Sequence, residues 1–111
     1  MSLNIRSIIT NDRLYKLTET EIQAALVSLP GWIVKEGKLC KKFEFRSFNE
    51  AMGWMVSVAI YTEVIKHHPI WLNIYNLVEV SLLTYDLGHV ISNLDVELAK
   101  KMDELAAPLS P

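Results

Sequence analysis

The sequence predicts an α+β domain: a four-stranded antiparallel sheet with three helices packed on one face, in the order helix, strand, strand, helix, strand, strand, helix. Apolar residues recur at helical spacing in three stretches. Between those stretches the pattern alternates with period two, and a short turn joins the alternating segments of each pair, so the strands form hairpins and the sheet is antiparallel.

Residues 1 to 17 show no sustained periodicity and are read as an N-terminal extension to a single domain whose core spans about residues 18 to 107. Behind Thr18, with Glu21 three residues on, Ile22, Ala25, Leu26 and Leu29 fall at i, i+3, i+4 and i+7, which predicts a capped amphipathic helix. Pro30-Gly31 stops it. The stretch from Trp32 to Phe45 reads as two strands around a Glu36-Gly37 turn, with Trp32, Val34, Phe43 and Phe45 on the buried face. Ser47 with Glu50 predicts a second capping box, opening a helix from Phe48 to about Lys66 that is roughly 28 Å long at about 1.5 Å per residue. Its apolar residues, among them Phe48, Met52, Trp54, Val56, Ile60 and Val64, cover more than one stripe, so a second subunit is expected to cover what one sheet cannot. After Pro69, Trp71, Asn73 and Tyr75 fall on one strand face and Ile70, Leu72 and Ile74 on the other. A turn near Asn76-Leu77 leads into Val78, Val80 and Leu82, alternating with Glu79 and Ser81. A loop from Asp86 to Ile91, flexible at Gly88, precedes Ser92 and Asp95, the N-cap and N3 carboxylate of a last helix. Leu94, Leu98, Met102 and Leu105 line that helix and Pro108 ends it.

At 111 residues, 50 % of them apolar, and with a formal net charge of −2, the chain fits neither a disordered acidic protein nor a basic nucleic-acid binder. Cys40 is the single cysteine, which excludes an intramolecular disulfide and Cys-rich metal sites and suits a reducing compartment. The first residues lack the pattern of a secretory signal, so a cytoplasmic location is expected. The densest apolar stretch, Ala51 to Tyr61, is broken by Gly53 and Ser57 and falls far short of the roughly 20 residues of a membrane span.

Chemistry concentrates at His67-His68-Pro69, where two of the three histidines meet at a helix-to-strand corner. Histidine exchanges protons near neutral pH more readily than any other unperturbed side chain, so the pair points to acid/base work. Adjacent side chains diverge, so the two imidazoles are expected to do different jobs. Glu63, four residues before His67 on the helix, places a carboxylate within its reach. No metal is expected, because the imidazoles diverge, no cysteine assists and the carboxylates lack ligand spacing.

The run Glu63-x-x-x-His67-His68-Pro69-x-Trp71-x-Asn73-x-Tyr75-Asn76 resembles the signature of the pterin-4a-carbinolamine dehydratases, also known as dimerisation cofactors of a homeodomain transcription factor. The likeness extends through Gly31-Trp32, Phe43-x-Phe45-x-x-Phe48-x-x-Ala51, Val78 and Leu82-x-Thr84 to Asp95, over about residues 20 to 106. The resemblance implies the predicted fold, assembled as a homodimer or homotetramer. It also implies dehydration of 4a-hydroxytetrahydropterin to quinonoid dihydropterin and water. The pterin is then the substrate, no cofactor is needed, and an aromatic amino acid hydroxylase is the functional link.

By that resemblance His67, His68, Asp95 and the residue at position 85 are catalytic, while Glu63, Pro69, Trp71, Thr84, Asp86 and Leu87 join them around the pterin. Trp71 and Tyr75 offer rings that stack on a pterin or pack in the sheet. The family's third histidine is replaced by Tyr85, a phenol that donates a hydrogen bond but is a poor base at neutral pH. The following loop is one residue longer than the family pattern and carries His89, a candidate substitute acid or base. Set against the dehydratase are a non-catalytic pterin-binding, assembly or transcription-cofactor module on the same fold, and a pterin-binding protein with another reaction, such as one in molybdopterin metabolism.

Overall fold

In the computed structural model, which describes residues 14–109, Thr18 opens helix α1 (Glu19–Leu26) with the expected capping box. The Thr18 hydroxyl accepts from Glu21 N at 3.1 Å and Glu21 Oε1 accepts from Thr18 N at 2.8 Å. The helix stops three residues before Leu29, which the spacing had included; Leu29 instead sits buried in the turn that follows. Residues 1–13 of the expected extension lie outside the described residues. Residues 15–17 belong to the packed domain: Leu17 is buried, its N–H donates to Ile91 O at 3.0 Å, and Tyr15 N donates to Asn93 Oδ1 at 2.9 Å.

Strands β1 (Ile33–Lys35) and β2 (Lys38–Glu44) are joined by Glu36-Gly37, whose φ values of 52° and 75° are both positive, as a tight hairpin turn that follows the strand twist demands. Helix α2 (Phe48–Ile65), strands β3 (Ile70–Ile74) and β4 (Leu77–Leu82), and helix α3 (Asn93–Ala106) complete the fold. The sheet order is β1-β2-β4-β3, antiparallel throughout, with Phe43 opposite Val78 and Asn73 opposite Val78 in register. β4 is therefore central and leads into the site.

Between sheet and helices Trp54 packs on Phe43, Phe45 and Trp71 at ring separations of 4.6, 5.2 and 6.1 Å. Its indole N–H donates to Met102 O at 3.1 Å, joining α2 to α3. Truncating such a buried ring typically costs about 3–5 kcal/mol. Lys41 Nζ binds Asp103 Oδ1 at 2.8 Å, and the Trp32 indole donates to the same carboxylate at 3.1 Å, fixing α3 across β2. Trp32, Phe43 and Phe45 are buried as expected, whereas Val34 is 42 % exposed because β1 is an edge strand beyond the helical cover.

Two expectations change in detail. The Ser47 hydroxyl does accept from Glu50 N, at 3.1 Å, but the Glu50 carboxylate turns to Arg46, whose backbone N–H lies at 3.3 Å and whose Nη2 lies at 2.7 Å. These hydrogen bonds hold the Glu50 carboxyl below its ordinary value. The β3–β4 turn is Tyr75-Asn76 rather than Asn76-Leu77, with Tyr75 in the left-handed region (φ 53°) and exposed, off the strand face it was expected to share with Trp71. Asn73 braces this turn through the Tyr75 and Leu77 carbonyls at 3.0 and 2.9 Å, and Asn76 Nδ2 donates to Phe45 O at 2.8 Å.

Candidate active site

α2 ends at Ile65, two residues before His67. Lys66 adopts a left-handed conformation (φ 57°, ψ 46°), and the N–H groups of Lys66 and His67 both turn back to Thr62 O. Such a residue ends a helix and reverses the chain, here with Lys where glycine is usual. The reversal sends His67 inward, 6 % exposed, and His68 outward, 57 % exposed.

The buried half of the site is a satisfied polar network. His67 Nε2 lies 2.5 Å from Asp95 Oδ1, while Asp95 Oδ2 accepts from Ser92 N and from Thr84 Oγ1, each at 2.8 Å. Since a carboxylate only accepts, Nε2 carries the imidazole proton and Nδ1 is the second ring position. The Thr84 proton goes to Asp95, so the Ser92 hydroxyl donates to Thr84 Oγ1 at 2.6 Å. Asp95 is also the N3 residue of the α3 capping box predicted from Ser92. Among the described residues no buried side-chain nitrogen or oxygen lacks a partner.

The exposed half differs from expectation. Glu63 Oε2 lies 2.5 Å from His68 Nε2, not on His67, because the left-handed turn at Lys66 breaks the helical i, i+4 spacing before His67 is reached. The hydrogen bond from His68, aided by the Lys66 ammonium 3.6 Å away, holds the Glu63 carboxyl below its ordinary value.

Both halves face one cavity of about 310 Å³, lined by His67, His68, Pro69, Thr84, Tyr85 and Asp86 of the expected set. That volume lies at the lower end of the range for small-molecule sites. Lys66, Ile70 and Leu83 complete the wall; no motif in the sequence had marked them. Glu63 and Asp95 act from behind the two imidazoles. Leu87 and Trp71 do not line the cavity, Trp71 being turned into the core against Trp54. His89 does not line it either; its ring stands edge-to-face on Tyr85 at 4.8 Å and 87°. Ser92 is the network member that site reasoning missed; its cap role was legible, its link to Thr84 was not. A larger depression of about 520 Å³ on the outer sheet face, beside Lys35, Cys40 and Lys42, holds no histidine. Among the described residues no cluster of three or more His, Cys, Asp or Glu could hold a metal ion, and no helix is long and apolar enough to cross a membrane.

The family model for pterin 4 alpha carbinolamine dehydratase matches residues 15–105. Relatives named "Putative pterin-4-alpha-carbinolamine dehydratase" include one from Rhodopseudomonas palustris (strain BisB18), 46 % identical over 98 residues, covering 86 % of this chain and 96 % of the relative. A second, from Afipia carboxidovorans, is 47 % identical over 93 residues, covering 82 % and 92 %. A crystal structure described as a transcriptional coactivator/pterin dehydratase from Brucella melitensis superposes with a TM-score of 0.79 at 39 % identity, covering 84 % of this chain and all of that one. A pterin dehydratase-like protein, described as a RuBisCO assembly factor in the alpha-carboxysome, shares the fold at a TM-score of 0.56 and 23 % identity, over 68 % of this chain and 87 % of that one. With the family pattern matched across most of its length, the chain belongs to the pterin 4 alpha carbinolamine dehydratase family.

Proposed function

We propose that the protein dehydrates 4a-hydroxytetrahydropterin to quinonoid dihydropterin and water, a hydro-lyase step in tetrahydropterin recycling. The observation that carries this reading is the meeting of a buried His67–Asp95 pair and an exposed His68–Glu63 pair at one cavity. In the reaction the N5–H bond breaks, a C4a=N5 double bond forms, and the C4a–O bond breaks as a proton reaches the departing hydroxide. One group must take a proton and another supply one. With its Nε2–H committed to Asp95, His67 accepts the N5 proton at Nδ1; His68, with Glu63 behind it, supplies the proton to oxygen. Tyr85 stands in the third histidine's place and donates a hydrogen bond to the leaving oxygen. Thr84, Pro69, Asp86 and Leu87 surround the ring, with Leu87 outside the cavity wall of the free protein and so in the reach of substrate only at its edge.

No cofactor enters this scheme, since the pterin is the substrate and both transfers use side chains. The reading places the protein in the cytoplasm, in keeping with the free thiol of Cys40, downstream of an aromatic amino acid hydroxylase. Exposed Met52, Val56 and Ile60 on α2, and Ile70, Leu72 and Ile74 on β3, support assembly as a homodimer or homotetramer.

The same apolar faces and the loss of the third histidine favour a second reading, a pterin-binding or assembly module that has lost the chemistry. Dehydration of freshly generated 4a-hydroxytetrahydropterin separates the two. The enzyme reading expects a rate above the protein-free control that falls about a hundredfold or more in His67→Ala and His68→Ala. Pterin binding with no rate above the control would establish the module instead.

A further inference from the structure

We infer that His89 is a positioning residue that acts through Tyr85, holding the phenol at the mouth of the cavity, and does not itself exchange protons with the substrate. This rests on the dehydratase reading and assigns a role to the one histidine outside the cavity. Residues 84–90 form a loop closed at its base, where Thr84 N donates to Val90 O at 2.7 Å and Val90 N donates to Thr84 O at 3.2 Å. Within it Tyr85–Leu87 makes one 3-10 turn, closed by Gly88 N donating to Tyr85 O at 2.9 Å. Gly88 and His89 are then both left-handed, at φ 92° and 61°. Two successive residues of that hand turn the chain back on itself, and a histidine is tolerated there only at some cost in strain.

The outcome of that strained reversal is the edge-to-face contact of His89 with Tyr85 at 4.8 Å. Rings in this arrangement attract each other through the positive edge and negative face of their π systems. Tyr85 has little else to fix it: its residue is 58 % exposed, yet it lines the cavity that His67 and His68 share. A hydroxyl that must meet a departing oxygen gains from restricted motion, because misplacement of a reacting group by an ångström is felt strongly in rate. The closed loop of residues 84–90 and the tyrosine it carries are thus one device, a phenol with its own support.

The test compares the whole protein with His89→Ala, His89→Phe, Tyr85→Phe and the double variant Tyr85→Phe/His89→Ala, reading kcat and KM for carbinolamine dehydration. His89→Ala is expected to lower kcat about threefold to tenfold with KM little changed, and His89→Phe, which retains an aromatic ring, to restore it to within about twofold. In the Tyr85→Phe background, removing His89 is expected to cost nothing further, since its effect runs through the phenol hydroxyl. An equal loss in both backgrounds, or no rescue by phenylalanine, would overturn the inference in favour of direct proton transfer or plain loop folding. Aromatic NMR supplies the arm that needs no turnover: cross-peaks between the Tyr85 and His89 rings are expected, and the Tyr85 ring signals should move in His89→Ala but stay in place in His68→Ala. Tyr85 signals indifferent to His89 overturn the positioning role, whereas wild-type protein without turnover overturns the dehydratase reading and leaves the ring contact decided by NMR alone.

Discussion

The imidazole of His67 is 6 % exposed and bound to a carboxylate, Asp95, that is 0 % exposed, whereas that of His68 is 57 % exposed and its carboxylate, Glu63, is 65 % exposed. Both contacts are 2.5 Å, yet they differ in what they do for the molecule. Inside, the pair and its partners come from three packed segments, His67 after α2, Thr84 after β4, and Ser92 with Asp95 at the start of α3, so the geometry is held by the core and losing one member strands the others. Outside, two side chains meet in water, so the contact orients a mobile group and adds little to folding. Neighbouring residues thus give the cavity one rigid wall and one compliant one, a division that suits a base fixed in place and an acid that must follow its substrate.

The comparison breaks most decisively at Asp95. Asp95→Ala leaves His67, Thr84 and the Ser92 amide without their acceptor, and should cost about 3–5 kcal/mol in urea unfolding, with activity lost alongside. Glu63→Gln should leave the urea midpoint almost unchanged while lowering the dehydration rate; an equal loss of stability from both variants would show that the two pairs are alike after all. Thr84→Val removes only the hydroxyl that joins Ser92 to Asp95, and an unfolding loss of about 1–2 kcal/mol is expected. Lys66→Gly relieves the left-handed strain at the corner and should raise stability by about 0.5–1 kcal/mol, with the histidine contacts preserved.

The smallest effect is one of pH. Because the Glu63 carboxyl is held below its ordinary value of 4.5, mainly by the His68 hydrogen bond, its contribution is full above that value and is lost as pH falls through the lowered one. Wild type should therefore exceed Glu63→Gln by a small margin near neutrality, and the two should converge in acid as pH falls below about 4.5. A margin that persisted unchanged in acid would mean that it does not come from the carboxylate's charge.

What the sequence disclosed about this division follows from range. Capping boxes act over three residues, and those at Thr18 and Ser92 formed as read; at Ser47 the guanidinium and backbone N–H of Arg46 take the Glu50 carboxylate in place of the Ser47 amide. The Glu36-Gly37 hairpin was legible because its turn needs the left-handed region, which glycine supplies. Partner choice at the histidines was not, since i, i+4 spacing presumes an unbroken helix and Lys66 carries no glycine signal for its break. Tyr75 misled in the same way: an aromatic residue in an alternating run reads as strand, and only the two carbonyl contacts from Asn73 reveal a turn. Trp71 was placed on the correct strand, but whether its ring met ligand or core depended on Trp54, 17 positions earlier in the chain.

Asp95 begins a helix and grips an imidazole with the same carboxylate. Two lifetimes are thereby made one: fraying of the first turn of α3 that carries Asp95 away releases His67 and, with it, uncovers the Ser92 amide that the same carboxylate held. Hydrogen exchange at that single amide is accordingly a clock for the integrity of the cavity, and its protection should lengthen whenever a ligand holds the imidazole in place.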